Sequence, residues 1–228
     1  MNASGPSPES LARVAARALS EVTSGMRLGL GTGRAAEAFI RALGERVREG
    51  LDVVGVATSE RSEKLAREVG VRTDELAAFD ALDVAFDGAD EVTPDRSLTK
   101  GLGGAQLRER VVASVAKRFV VLATEDKCVA KLGTRCPIPI EVVPFAAPIV
   151  RRRLESLGAR PVQRLAPDGQ PYRTDNANLI LDAHVNPLDD PAAFDARARS
   201  VPGVVDVGLF LGVATLVLIG SDAGVREI

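Results

Sequence analysis

The chain has no tryptophan, one tyrosine, one histidine and two cysteines in 228 residues. Each shortage closes off a class of chemistry. Aromatics at 4% leave no platform on which single-stranded bases would stack. Lys and Arg number 29 against 31 Asp and Glu, a net charge of −2, so the basic excess of a nucleic-acid binder is missing. Cys128 and Cys136 supply no disulfide framework and, with the lone His184, no zinc spacing; both are read as reduced thiols, and His184 as a structural or interface residue. No apolar run approaches the roughly 20 residues of a membrane span. The opening MNASGPSPES lacks the basic and apolar regions of a secretory signal and is read as a disordered lead-in. The expected home is the cytoplasm.

What is present suits a globular α/β protein. Hydrophobic residues at 46% and charged residues at 26% allow one large domain, or a domain plus a smaller one. Ser7-Pro8-Glu9 reads as a helix start: a hydroxyl N-cap, proline at the first position and an acid in the first turn. Strands are expected at Met26–Leu30, Val53–Val56, Leu82–Phe86 and Phe119–Thr124, with amphipathic helices between them. That alternation predicts a mostly parallel sheet with right-handed crossovers. The rhythm breaks after Gly133. CPIPIEVVPF is extended, Ala147–Leu157 is helical, NLILDAHV alternates as a half-buried strand and DPAAFDARARSVPG holds another helix. VVDVGLF then reads as a strand closing a small α+β insertion, and VATLVLIGS as a strand rejoining the main sheet. The expected domains are 1–132 with 206–228, and 133–205.

Three glycine- or acid-bearing segments follow strands and so fall on one edge of such a sheet, where ligands bind. Gly31, Gly33 and Ala36 satisfy G-x-G-x-x-A, the dinucleotide fingerprint, but hydroxyls at Thr58-Ser59 stand where the ribose-binding acid belongs. The loop is therefore a phosphate site at a helix N-terminus, a plain tight turn or, least well, a nicotinamide site. Thr58 or Ser59 is a helix N-cap, a ligand, or both. Asp87, Asp90 and Glu91 alone would pass for solvated turn acids. Lys100-Gly101-Leu102-Gly103-Gly104, with Glu109 in the helix after it, shifts that balance. A carboxylate base can take a proton α to a carbonyl, a lysine can stabilise the developing enediolate, and a second acid can move protons among the oxygens. Aldose–ketose isomerisation is a chemistry this set can perform with no metal, imidazole or redox cofactor.

GLGTG, ATSE, DVAFDGADE, KGLGGA with RE, EDK, PIEVVPFA, TDNANLILD and PGVVDVGLF, in that order from about Gly25 to Gly220, together resemble the type A ribose-5-phosphate isomerase family. The resemblance implies a Rossmann-like main domain with a small inserted α+β domain. It implies interconversion of ribose 5-phosphate and ribulose 5-phosphate without a cofactor, and assembly into dimers or tetramers. By position it makes Glu109 the base between C1 and C2, and gives Asp87 the ring-opening and oxygen proton transfers. Lys100 would stabilise the enediolate and Asp90 place the substrate hydroxyls. Gly31, Thr32, Gly33, Thr58, Ser59, Gly101, Gly103, Gly104 and Lys127 fall at substrate-binding positions. Where the family usually reads G-T-G-S-T, this chain has Arg34-Ala35 at the last two positions. Arg34 either takes over the phosphate from the missing hydroxyls or points to solvent. Leu102 also stands where glycine or a charge is expected.

Two rival readings compete with this one. A sugar-phosphate sensor would keep the loops, lose the acids and carry a fused DNA-binding module, for which the chain has no room. An amino-sugar-phosphate deaminase leans on histidine, and His184 lies far along the chain from the acids.

Overall fold

A computed structural model describes residues 7–228; most of the expected lead-in therefore lies outside the described residues. The first half of the chain runs α1 (Pro8–Leu19), β1 (Arg27–Leu30), α2 (Arg34–Arg48), β2 (Val54–Ala57), α3 (Glu60–Glu68), β3 (Arg72–Thr73), β4 (Val84–Gly88), β5 (Glu91–Val92), β6 (Leu98–Thr99) and α4 (Gln106–Val115). The second runs β7 (Phe119–Thr124), β8 (Ile138–Val142), α5 (Ala147–Ser156), β9 (Arg160–Gln163), β10 (Leu179–His184), α6 (Pro191–Arg199), β11 (Val204–Val207), β12 (Leu209–Phe210), β13 (Leu216–Ser221) and β14 (Gly224–Glu227). Ser7 caps α1 by accepting from the Ser10 amide at 3.1 Å.

The chain divides into two compact units, 1–89 with 108–128 and 213–228, and 90–107 with 129–212. The first holds a seven-stranded sheet in the order β14-β13-β7-β4-β1-β2-β3, parallel except for β14. Chain order reverses between β1 and β4, the crevice where open α/β sheets bind ligands. Parallel strands covered on both faces read as continuous apolar runs, and Phe119–Thr124 is buried throughout. Val14 and Ala18 of α1, Phe39, Ile40 and Leu43 of α2 and Leu65 of α3 pack on Leu28, Leu30, Phe86, Val120 and Leu122. Phe39 stacks on Phe86 with centroids 4.2 Å apart; burying such a ring contributes about 1.5–3 kcal/mol.

The second unit holds an antiparallel sheet in the order β11-β8-β10-β9 and a three-stranded one, β12-β6-β5. Its core is Ile138, Ile140, Val142, Val150, Leu154, Leu181, Phe194 and Val207. Two expectations are revised here. Residues 90–107 group with the second unit, because β6 pairs with β12 and β5 with β6, and because Glu91, fully buried, accepts from Thr99 Oγ1 (2.8 Å) and the amides of Gly133 (2.7 Å) and Cys136 (3.3 Å). VVDVGLF is two strands in two sheets. The break falls at Gly208, whose amide donates to Pro139 O at 2.7 Å and whose carbonyl accepts from Lys100 N at 2.9 Å. A Cβ there would lie 2.2 Å from Lys100 O, so only glycine fits.

Candidate active site

In the first unit the carboxyl ends of β1, β2 and β4 gather five of the selected residues. Gly31 approaches β4 so closely that a Cβ on it would lie 2.3 Å from the Asp87 carboxylate carbon. Its amide donates to Phe86 O at 2.8 Å. Asp87 is 2% exposed. Its Oδ1 accepts from the amides of Thr32 (3.0 Å) and Gly88 (2.7 Å), which hold the carboxylate in one orientation at the crevice. Thr32 Oγ1 meets Thr58 Oγ1 and Ser59 Oγ, each at 2.8 Å. Ser59 is also the N-cap of α3, accepting from Ser62 N at 3.1 Å. The N-cap reading of that hydroxyl therefore holds. Ser62, in the interior of α3, completes the cluster by donating to Gly31 O at 2.6 Å. A hydroxyl inside an amphipathic helix carries no local signal of that role.

Gly33 starts α2 with φ at +96° and brings no side-chain cap. The first-turn amides of α2 thus have no capping side chain, the arrangement that favours an anion. Arg34 opens the helix, is exposed, and makes no ion pair with any described residue. Glu109 is 4% exposed on the first turn of α4. Val112, three residues on and so on the same helix face, lies 2.6 Å from where a Cβ on Gly29 would stand. In a βαβ unit the helix runs against the strands, so Glu109 lies about 4.5 Å from Val112 along the axis, towards the carboxyl edge of β1 and β4. Lys127 follows β7 on the same edge, its Nζ 3.9 Å from Asp126 Oδ2.

The second unit carries the remaining residues. Lys100 is 2% exposed, and its ammonium lies 5.6 Å from the centroid of the Phe210 ring. The loop after it turns through Gly101 (φ +106°) and Gly104 (φ +78°), closed by Gly104 N donating to Gly101 O at 2.9 Å. Asp90 Oδ2 accepts from Leu102 N at 2.9 Å, so the aspartate braces the loop as well as offering a carboxylate. Leu102 is exposed; Gly103 O accepts from the Tyr172 hydroxyl at 3.4 Å.

A family model described as ribose 5-phosphate isomerase A (phosphoriboisomerase A) matches residues 54–224. The protein of that name from Thermomicrobium roseum is 50% identical over 216 residues, 94% of this chain and 91% of the relative. The one from Roseiflexus castenholzii is 49% identical over 95% of this chain and 93% of its own. The chain belongs to the ribose-5-phosphate isomerase A family. It is an aldose–ketose isomerase that interconverts ribose 5-phosphate and ribulose 5-phosphate. The solved isomerase from Methanocaldococcus jannaschii superposes with a TM-score of 0.92 at 39% identity, covering 96% of this chain and 98% of that one. A D-ribose-5-phosphate isomerase in complex with phospho-erythronic acid superposes at 0.94 with 37% identity, covering 96% and 97%.

Two buried acids of the second unit serve as scaffolding. Glu91 anchors the loop at 133–136, and Glu141, fully buried, accepts from Thr174 Oγ1 (2.9 Å), Asn178 Nδ2 (2.9 Å) and Asn176 Nδ2 (3.3 Å) of the TDNAN motif. His184 is exposed at the end of β10, paired with Arg160. No group of three or more His, Cys, Asp or Glu able to hold a metal occurs among the described residues, and no described helix is long and apolar enough to cross a membrane.

Proposed function

We propose that this isomerase works by proton transfer through an enediolate, with Glu109 as the base. In the direction of ribulose, Asp87 moves the protons of ring opening and of the C1 and C2 oxygens. Glu109 takes the C2 proton of the open aldose and, after exchange at its carboxyl group, delivers a proton to C1. The charge that collects on the enediolate oxygens is balanced by the Lys100 ammonium, and Asp90 orients the sugar hydroxyls. The hydroxyls of Thr32, Thr58 and Ser59, the uncapped start of α2 and Lys127 bind the remaining hydroxyls and the phosphate. Gly101, Gly103 and Gly104 contribute backbone groups.

The observation that carries this reading is the burial of Asp87 and Glu109 in the first unit, at 2% and 4% exposure. Carboxylates so buried are suited to act as base and acid towards a sugar bound against them. That a relative of the same fold is seen with phospho-erythronic acid, a phosphorylated sugar acid, supports the substrate class. No cofactor enters the scheme. We further propose a cytoplasmic homodimer or homotetramer; exposed apolar residues of the second unit, Phe145 at 95%, Ile149 at 48% and Val143 at 41%, support an interface between copies.

A coupled assay of ribose 5-phosphate conversion tests the roles. Glu109→Gln keeps the shape and removes the base, so kcat should fall by about 10²-fold or more, and Asp87→Asn should be severely impaired. A folded variant with near wild-type turnover would remove that residue from the mechanism.

A further inference from the structure

A guanidinium outside the residues assigned above grips the loop that carries Lys100. Arg164 directly follows β9. Its Nε donates to Asp182 Oδ2 at 2.9 Å and its Nη2 to Asp182 Oδ1, a bidentate pair across the strands. The opposite edge of the fork faces the loop: Nη1 lies 2.9 Å from both Gly101 O and Leu102 O. The Arg164 guanidinium also lies 5.8 Å from the centroid of the Tyr172 ring. All these groups belong to the second unit.

The Leu102 peptide is therefore pinned at both ends, its N–H by Asp90 and its carbonyl by Arg164. A stretch with three glycines in the five residues 100–104 has unusual backbone freedom, and two of them sit at positive φ. Something must select one conformation. Tyr172 contributes from the other side: its hydroxyl would lie 2.3 Å from a Cβ on Gly104, so the loop rests directly on the ring. We propose that Arg164, oriented by Asp182, is a positioning residue for the isomerisation, holding the loop so that Lys100 and Asp90 meet the substrate in a single geometry. The proposal rests on the roles given above to Lys100 and Asp90. Arginine suits the task because its planar fork serves a carboxylate on one edge and two carbonyls on the other; a lysine is a single point charge.

The test uses Arg164→Lys, Arg164→Ala and Asp182→Asn in the full-length enzyme, each read by kcat, KM for ribose 5-phosphate and melting temperature. Arg164→Lys should lower kcat by about 10-fold with KM changed by less than about 2-fold, as expected for a displaced catalytic group. Added guanidinium ion should recover part of the kcat of Arg164→Ala. Asp182→Asn should resemble Arg164→Lys, and these two variants carry the test if Arg164→Ala fails to fold. Tyrosine fluorescence gives a second readout, because Tyr172 is the sole tyrosine in a chain without tryptophan; releasing the loop should change it in step with kcat. If the folded variants keep wild-type kcat and lose only melting temperature, Arg164 is structural and the proposal fails. If KM rises at unchanged kcat, it is a binding residue and the proposal fails equally. Lys100→Met run alongside separates the two levels of failure: wild-type turnover in that variant overturns the role of Lys100 itself, whereas impairment there without impairment at Arg164 overturns only the positioning.

Discussion

Replacing Gly31 by alanine puts a methyl group where the crevice has no room for one. A Cβ on Gly31 would lie 2.3 Å from both Cγ and Oδ1 of Asp87 and 2.5 Å from its Cα. Relief to an ordinary contact needs a movement of roughly 1 Å, since attractive contacts begin near 3.5 Å. A rotamer change at Asp87 cannot supply it, because the backbone is in the way and Gly31 N is tied to Phe86 O at 2.8 Å. Overpacking of this kind costs about 1–3 kcal/mol, or roughly 3–10 °C of melting temperature in a chain of this size. The larger effect should be on catalysis. Asp87 would be pushed off the amides of Thr32 and Gly88, and a displacement of about 1 Å at a reacting group costs on the order of 10²-fold in kcat. Gly50→Ala is the control. That glycine has φ at +104° with nothing within 4 Å of its Cβ position, so alanine there brings backbone strain of about 1–2 kcal/mol and no steric push. Thermal melts and coupled turnover on both variants should show similar losses of stability and a large loss of kcat in Gly31→Ala alone. A folded Gly31→Ala enzyme within about 3-fold of wild-type kcat would refute the link between this glycine and the geometry of Asp87.

Arg34→Ala should raise KM for ribose 5-phosphate by roughly 10-fold, about 1.4 kcal/mol, if the guanidinium reads the phosphate; unphosphorylated ribose should be indifferent, and equal effects on both sugars would exclude that role. Gln106 is fully buried, and neither amide atom has a hydrogen-bond partner among the described residues. Gln106→Leu should therefore raise stability by about 1–2 kcal/mol in denaturant titrations, because it removes an unmet desolvation cost; a fall would show that the amide is satisfied. Burial, then the charge of Asp175, pushes the Tyr172 phenol above its usual 10, against a smaller lowering by Arg164. The folded state thus holds this proton longer than the unfolded chain. Stability linked to it is complete below pH 10 and is lost as the pH rises through the folded value. Absorbance at 295 nm, which only this tyrosine supplies, should titrate above 10 in the native protein and near 10 in urea; a native midpoint at or below 10 contradicts the burial argument.

The parallel sheet was legible because β1, β2, β4 and β7 are apolar runs that alternate with amphipathic helices; Phe119–Thr124 matches β7 to the residue. Asp87 was legible as a loop acid at a strand end, although the structure makes it the penultimate residue of β4. Periodicity could not reveal β5 and β6, which are two residues each; strands so short have no period, and what ties residues 90–107 to the second unit is distant in sequence: the pairing of β6 with β12 and the Glu91 bonds to the amides of 133 and 136. The break at Gly208 was hidden for a similar reason. An apolar run looks continuous whether or not the backbone bends to approach Lys100 and Pro139. Glu91 and Glu141 look in sequence like Asp87 and Glu109. What separates them is distant: amides at 133 and 136 for one, Thr174 and Asn178 for the other. Arg164 gave no signal at all, since its partners lie 18 and more than 60 residues away.

The central claim is that a carboxylate at position 109 carries a proton between C2 and C1 through an enediolate. Conversion of ribose 5-phosphate in deuterium oxide, followed by NMR of the product, examines it directly. The account predicts that solvent deuterium enters C1 of the ribulose 5-phosphate made by the wild-type enzyme, and that Glu109→Gln loses conversion and label entry together. Product formed at the wild-type rate by Glu109→Gln, or wild-type product that never carries deuterium at C1 however long the turnover, would contradict it.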